Sequence, residues 1–236
     1  MKAVQLSNRL KIIEMIYRAN ESHLGSALSM VDIVEAVYQI KEERDKFVLS
    51  AGHTAAALYA VLDTHGFLKK PDLKKLENHP VRNAQNHIDV STGSLGQGLP
   101  IAVGMALANR KKKVFCCISD GECDEGNTLE ALRIGTENKL TNLVLILNFN
   151  GFSAYKKTDE SKIKAIISAL GWKIIDVDGH NLADLKKALS LKTTFPRLIF
   201  ARTKVDQLKF LHGIDAHYYK MTEVDYREAL KQWSKN

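Results

Sequence analysis

The sequence predicts an α/β protein, a parallel β-sheet flanked by helices on both faces. Two observations carry this. Short apolar runs, above all residues 114–118 and 143–147, alternate with segments of helical periodicity, the pattern of strands buried on both sides. Polar and glycine residues stand directly after those runs. Ser119-Asp120-Gly121 follows the first and Asn148-Phe149-Asn150-Gly151 the second, where a parallel sheet gathers its ligand-binding loops.

The elements follow in chain order. Leu6, Leu10, Ile13 and Tyr17 recur at helical spacing and predict an amphipathic N-terminal helix without a signal-peptide core. After a turn at 22–25, Ser29 is placed to cap a helix through about residue 40, with Asp32 completing the capping pattern. Residues 47–49 form a short strand ending at Ser50-Ala51-Gly52-His53, then a small-residue helix over 54–65 and a short one over 72–77. An apolar helix over 99–109 leads to the strand 114–118, a helix over 128–138 and the strand 143–147. A helix near 160–170, a strand 173–177, a helix 182–190 capped by Asn181 and a strand 197–202 continue the alternation. Thr222 caps a last helix to about Trp233.

The 236 residues, 45% of them hydrophobic, suit one domain over 1–236 with a full core. Only four prolines occur, and no linker or repeat divides the chain. No apolar run approaches the ~20 residues of a membrane span. The net charge of +7 comes from scattered basic residues, with no recognition module for nucleic acid. The three cysteines, Cys116, Cys117 and Cys123, lack zinc-ligand spacing, and the first two fall inside a strand. Their odd number suits a reducing, cytoplasmic compartment.

Three groups of residues point to chemistry. Asp120 and Asn150 stand at consecutive strand ends, and a carboxylate with an amide oxygen makes a hard donor set suited to Mg2+ or Ca2+. Asp-Gly and Asn-Gly are also common turn pairs, so a plain turn remains the alternative. Gly93, Gly96 and Gly98 precede an apolar helix, either to admit a ligand to the backbone or to pack the helix closely. Their spacing is not the dinucleotide one. Four histidines, His23, His53, His79 and His217, stand in predicted loops; His65, His87, His180 and His212 have no weaker claim from position alone.

Taken together, these motifs resemble the N-terminal, diphosphate-binding region of transketolases over nearly the whole chain, most closely the separately encoded N-terminal subunits. Asp120-Gly121 and Asn150 match the family's metal motif, and Glu125-Gly126 its following Glu-Gly. Ser22-His23-Leu24-Gly25 is similar to Gly-His-Pro-Gly, and the segment from Phe47 to His53 to Phe-Val-Leu-Ser-x-Gly-His. His79-Pro80, Thr92-Gly93-Ser94-Leu95-Gly96-Gln97-Gly98, Asp178-Gly179-His180 and His217-Tyr218-Tyr219-Lys220 are also family-like. Ser119 and Leu24 depart from the family's Gly and Pro, and the link before Phe47 is short.

The resemblance implies a thiamine-diphosphate-binding fold using thiamine diphosphate and a divalent metal to move a two-carbon ketol unit from a ketose to an aldehyde. It assigns Asp120, Asn150 and the Phe152 carbonyl to the metal. His53, Gly93, Leu95, Gly121, Asn150 and Phe152 go to the cofactor site. His23, His79 and His217 become catalytic histidines facing a sugar or sugar-phosphate substrate, and Glu125 lies between subunits, tuning the partner's glutamate. The pyrimidine-binding domain is absent and is expected on a separate C-terminal transketolase-like subunit in a hetero-oligomer, with a homodimer as the state of the chain alone. The alternatives are a deoxyxylulose-phosphate synthase or 2-oxo acid dehydrogenase type of subunit, and a non-catalytic binding subunit.

Overall fold

The computed structural model describes residues 1–233. Five strands, β1 (Lys46–Leu49), β2 (Val114–Ser119), β3 (Leu143–Phe149), β4 (Lys173–Asp178) and β5 (Arg197–Arg202), form one parallel sheet in the order β1-β2-β3-β5-β4. Around it lie α1 (Ala3–Ala19), α2 (Leu24–Tyr38), α3 (Ala55–Thr64), α4 (Leu73–Leu76), α5 (Gly98–Ala108), α6 (Gly126–Glu137), α7 (Glu160–Ala169), α8 (Leu182–Ser190) and α9 (Glu223–Trp233). Among the described residues no helix is long and apolar enough to cross a membrane.

The two-residue period of the strands divides the interior into two cores. Phe115, Cys117, Val144, Ile146 and Ile199 face α1, α2, α3 and α8, whereas Val114, Cys116, Ile118, Leu145 and Phe200 face α5, α6 and α7. Each fully buried Leu, Ile or Phe contributes roughly 1.5–3 kcal/mol of transfer free energy, so both faces must stay covered. Cys116 and Cys117 thus point to opposite cores, and burial raises both thiol pKa values, which makes them packing groups. Strand order turns back once, where β5 returns between β3 and β4; the helix leading to it, α8, therefore packs on the face opposite α7.

Predicted and observed elements agree within a few residues, and Asn181, Asp72 and Thr222 cap their helices through side-chain hydrogen bonds. The start of α2 differs. Ser29 does not cap it: the helix begins at Leu24, after His23 in a left-handed conformation (φ 69°). Ser29 Oγ donates to the Ser26 carbonyl at 2.8 Å, and Asp32 is buried against Arg9. All of α2 is buried, so packing on every side sets its boundary where the capping pattern pointed elsewhere.

Candidate active site

The site grows from the carboxyl ends of β1, β2 and β3. The chain leaving β1 turns through Gly52–Thr54, and the glycine loop before α5 folds directly onto it. Thr92 Oγ1 donates to the Leu49 carbonyl at 2.6 Å, and a Cβ at Gly52 would fall 2.9 Å from the backbone of Thr92 and Gly93. A Cβ at Gly98 would fall 2.5 Å from Ser50. Close packing of loop and helix therefore explains Gly52 and Gly98. Gly96 needs its freedom for a φ of +76°.

One residue missed in the sequence ties these pieces together. Glu122 is fully buried, and its carboxylate accepts hydrogen bonds from Ser50 Oγ, from Gly96 N (3.1 Å) and from Ser119 N (2.8 Å) and Oγ (3.2 Å). Burial raises its pKa, while these donors offset part of the cost of holding a charge there. Ser119, which replaces a family glycine, thus donates its hydroxyl to this anchor. The only sequence signal for Glu122 was an acid just past the end of a buried strand.

Between the loops lies a cavity of about 170 Å³. It is lined by the four singled-out histidines, His23, His53, His79 and His217. Gly93 and Leu95 line it from the glycine loop, and Gly121, Asn150 and Phe152 from beyond β2 and β3. A larger cavity of about 700 Å³, over β4 and α8, holds none of these residues. His65 and His87 sit away from the site, in an aromatic group with Tyr38 and Phe67. His212 does not line the cavity, although it stands only five positions before His217.

The histidine rings approach closely, His23 to His217 at 4.7 Å and His53 to His217 at 5.2 Å between centroids. Burial, then the nearby charges of His217 and His79, lowers the His23 pKa to about 4. Burial, then His217, His23 and His79, holds His53 well below its ordinary value, and burial lowers His217. These three are therefore neutral near pH 7. The Nδ1 atoms of His23 and His217 meet Ser22 Oγ (3.1 Å) and Ser26 Oγ (3.3 Å). Neither Nε2 has a protein hydrogen-bond partner among the described residues, which leaves both free to meet a ligand.

Asp120 and Glu125 do not line the cavity. Asp120 is 1% exposed; Oδ1 accepts from Gly121 N at 3.1 Å, and Oδ2 from Gly151 N at 2.9 Å and Thr158 Oγ1 at 2.8 Å. Burial raises its pKa to about 6 against the pull of these donors. No basic side chain pairs with it among the described residues. A buried carboxylate without a counter-cation is a fitting anchor for a divalent metal, which would supply the missing positive charge. Asn150 Oδ1 accepts from Phe152 N at 3.0 Å, a tight turn that keeps the amide and Phe152 together beside Asp120's donor Gly151. No cluster of three His, Cys, Asp or Glu groups could hold a metal among the described residues, so any metal here would need the amide, carbonyl and ligand oxygens as well. Glu125 is the N-cap residue of α6, half-buried with its Cβ against Gly96.

The fold agrees with comparisons to known proteins. The chain is 30% identical to an apulose-4-phosphate transketolase subunit from Phocaeicola vulgatus, over 96% of this chain and 91% of that protein. It is 31% identical to the 6-deoxy-6-sulfo-D-fructose transketolase subunit SqwG of a Clostridium species, over 94% and 92% of the two chains. The crystal structure of Campylobacter jejuni transketolase superimposes with a TM-score of 0.87 at 26% identity; the alignment covers 99% of this chain and 43% of that longer one. The family profile described as transketolase, thiamine diphosphate binding domain, matches residues 2–232, and the chain belongs to that family.

Proposed function

We propose that the chain is the diphosphate-binding subunit of a split transketolase, moving a two-carbon ketol unit from a ketose to an aldehyde acceptor. The observation that carries this reading is the single cavity in which His23, His53, His79 and His217 meet Gly93, Leu95, Gly121, Asn150 and Phe152. When bound, thiamine diphosphate supplies the nucleophilic carbon and the electron sink. Asp120, Asn150 and the Phe152 carbonyl would hold a divalent metal, magnesium or calcium, which would neutralise charge on the diphosphate. His53 and Gly121 would bind the diphosphate, and Gly93 and Leu95 would contact the pyrimidine. His23, His79 and His217 bind sugar oxygens and move protons at the reacting carbonyl and hydroxyl. The neutral imidazoles of His23 and His217 suit that task, because they can both donate and accept.

The partner is a separate pyrimidine-domain subunit. Two relatives that this chain matches over most of their length are named as subunits. The three unpaired thiols accord with a cytoplasmic setting. A different thiamine diphosphate reaction, on a 2-oxo acid for example, has no need of four histidines in one cavity.

The test titrates thiamine diphosphate with magnesium into the assembled enzyme and follows ketol transfer. Asp120→Ala and Asn150→Ala should each lower magnesium-dependent cofactor affinity by about 10-fold or more, since each removes a hard oxygen donor. Unchanged affinity in both variants would refute the metal assignment.

A further inference from the structure

The Asp178-Gly179-His180 motif has no residue in the cavity, yet its geometry is closely specified. A Cβ at Gly179 would fall 2.4 Å from Thr203 Cγ2 and 2.8 Å from the Arg202 carbonyl, and Asp178 Oδ1 accepts from His180 N at 2.8 Å. The turn thereby delivers the His180 ring to Asp32 on α2. His180 Nε2 accepts from Lys204 N at 3.1 Å, so the proton sits on Nδ1, which donates to Asp32 Oδ2 at 2.8 Å. Arg9, from α1, grips the same carboxylate through two bonds of 2.9 and 2.6 Å. Its Nε donates to Gln207 Oε1 at 3.1 Å, and Gln207 Nε2 donates to the Leu28 carbonyl at 2.9 Å. Arg9 and Asp32 are both almost wholly buried.

We infer that Arg9, Asp32, His180 and Gln207 form a clamp whose task is to position His217. The inference rests on the ketol-transfer reading for what His217 does. The clamp fixes residues 204–207, the start of the connection from β5 to α9. That connection runs on through His217, whose carbonyl accepts from His23 N at 3.1 Å. The clamped segment and the residue before His217 touch the same spot on α2. A Cβ at Gly25 would fall 3.1 Å from the Val205 carbonyl and 3.0 Å from Ala216 Cβ. Val205 lies inside the clamped segment and Ala216 directly precedes His217, so both bear on the first turn of α2. Displacement of residues 204–207 therefore reaches His217 through one layer of close contacts. A buried ion pair is an expensive way to hold a loop, and well-bonded polar networks are suited to fixing one geometry.

His180→Phe tests this, because it takes the acceptor from Lys204 N while leaving the Arg9–Asp32 pair intact. Gln207→Leu releases the same segment from the other side and serves if His180→Phe does not fold. In the assembled enzyme both should lower kcat/KM for the ketose by about 10- to 100-fold, the scale expected of a ~1 Å misplacement. Thiamine diphosphate affinity should stay within about twofold. His180→Gln, which retains an acceptor for Lys204 N, should recover part of the loss. The His217 ring resonance, identified by its absence in His217→Gln, should shift in the full chain in both clamp variants. Unchanged kcat/KM with an unshifted resonance would overturn the inference, as would a fall in cofactor affinity equal to the fall in kcat/KM. A wild-type assembly without ketol transfer would count against the proposed function alone, and the resonance would still decide the clamp.

Discussion

His23 carries two burdens at once: a left-handed backbone at the start of α2 and a largely buried ring among other imidazoles. Its folded pKa, near 4, lies below the ordinary 6.5. The unfolded chain takes up a proton between those values that the folded chain refuses. Stability is therefore lost as pH falls from about 6.5 towards 4. His23→Gln should remove about 2 kcal/mol of that loss between about pH 7 and about pH 5, read from urea unfolding of the chain at the two pH values. Equal pH dependence in wild type and variant would show that the ring is not buried neutral. At this scale much of the cavity lining was legible: Asn150 and Gly121 by their position after strands, and His23, His53, His79 and His217 by the family-like motifs that contain them. Glu122 does not, because its meaning lies in partners at positions 50, 96 and 119 that only the folded sheet brings together.

Among the elements, the loop and helix from Gly93 to Ala108 show why glycines were hard to read from spacing alone. Gly98 exists to let α5 close on Ser50, whereas Gly104, on the exposed side of the same helix, has nothing within 4 Å of where a Cβ would lie. The two should respond oppositely. Gly98→Ala forces a contact of 2.5 Å with Ser50 and strains the loops that end at His53 and begin at Gly93. Overpacking of this kind costs about 1–3 kcal/mol, and thiamine diphosphate affinity should fall with it. Gly104→Ala should raise the Tm of the isolated chain, since alanine is favoured over glycine by up to ~1 kcal/mol in a helix interior. Thermal unfolding of both variants checks the pair; a Gly98→Ala chain as stable as wild type would mean that the loop yields without cost. Strand positions, by contrast, were legible because a strand buried between two separate cores reads as an unbroken apolar run. The start of α2 was not, because a helix buried on all sides gives no amphipathic edge to locate.

On the scale of the whole molecule, the cavity is built from one side only. The chain supplies histidines, backbone and a buried carboxylate, and the described residues offer no acidic side chain lining the cavity to act on the pyrimidine end. Leu107 is 38% exposed, and Ile101 and Met105 are half-buried on α5, which begins at the very loop that carries Gly93 and Leu95. A subunit that closes the cavity at Gly93 would run onto this apolar helix face, and obligate interfaces are apolar at their centre and commonly bury more than ~2,000 Å². The chain alone should therefore show no ketol transfer with excess thiamine diphosphate and magnesium. Adding the pyrimidine-domain subunit should restore turnover, with two copies of each chain in the active particle. Amide exchange in α5 and around Glu125 should slow on assembly, because both would leave solvent. Light scattering gives the stoichiometry and exchange maps the contact. Full activity from the single chain would defeat the split-enzyme reading, and restored activity without protection of α5 would place the partner on another face.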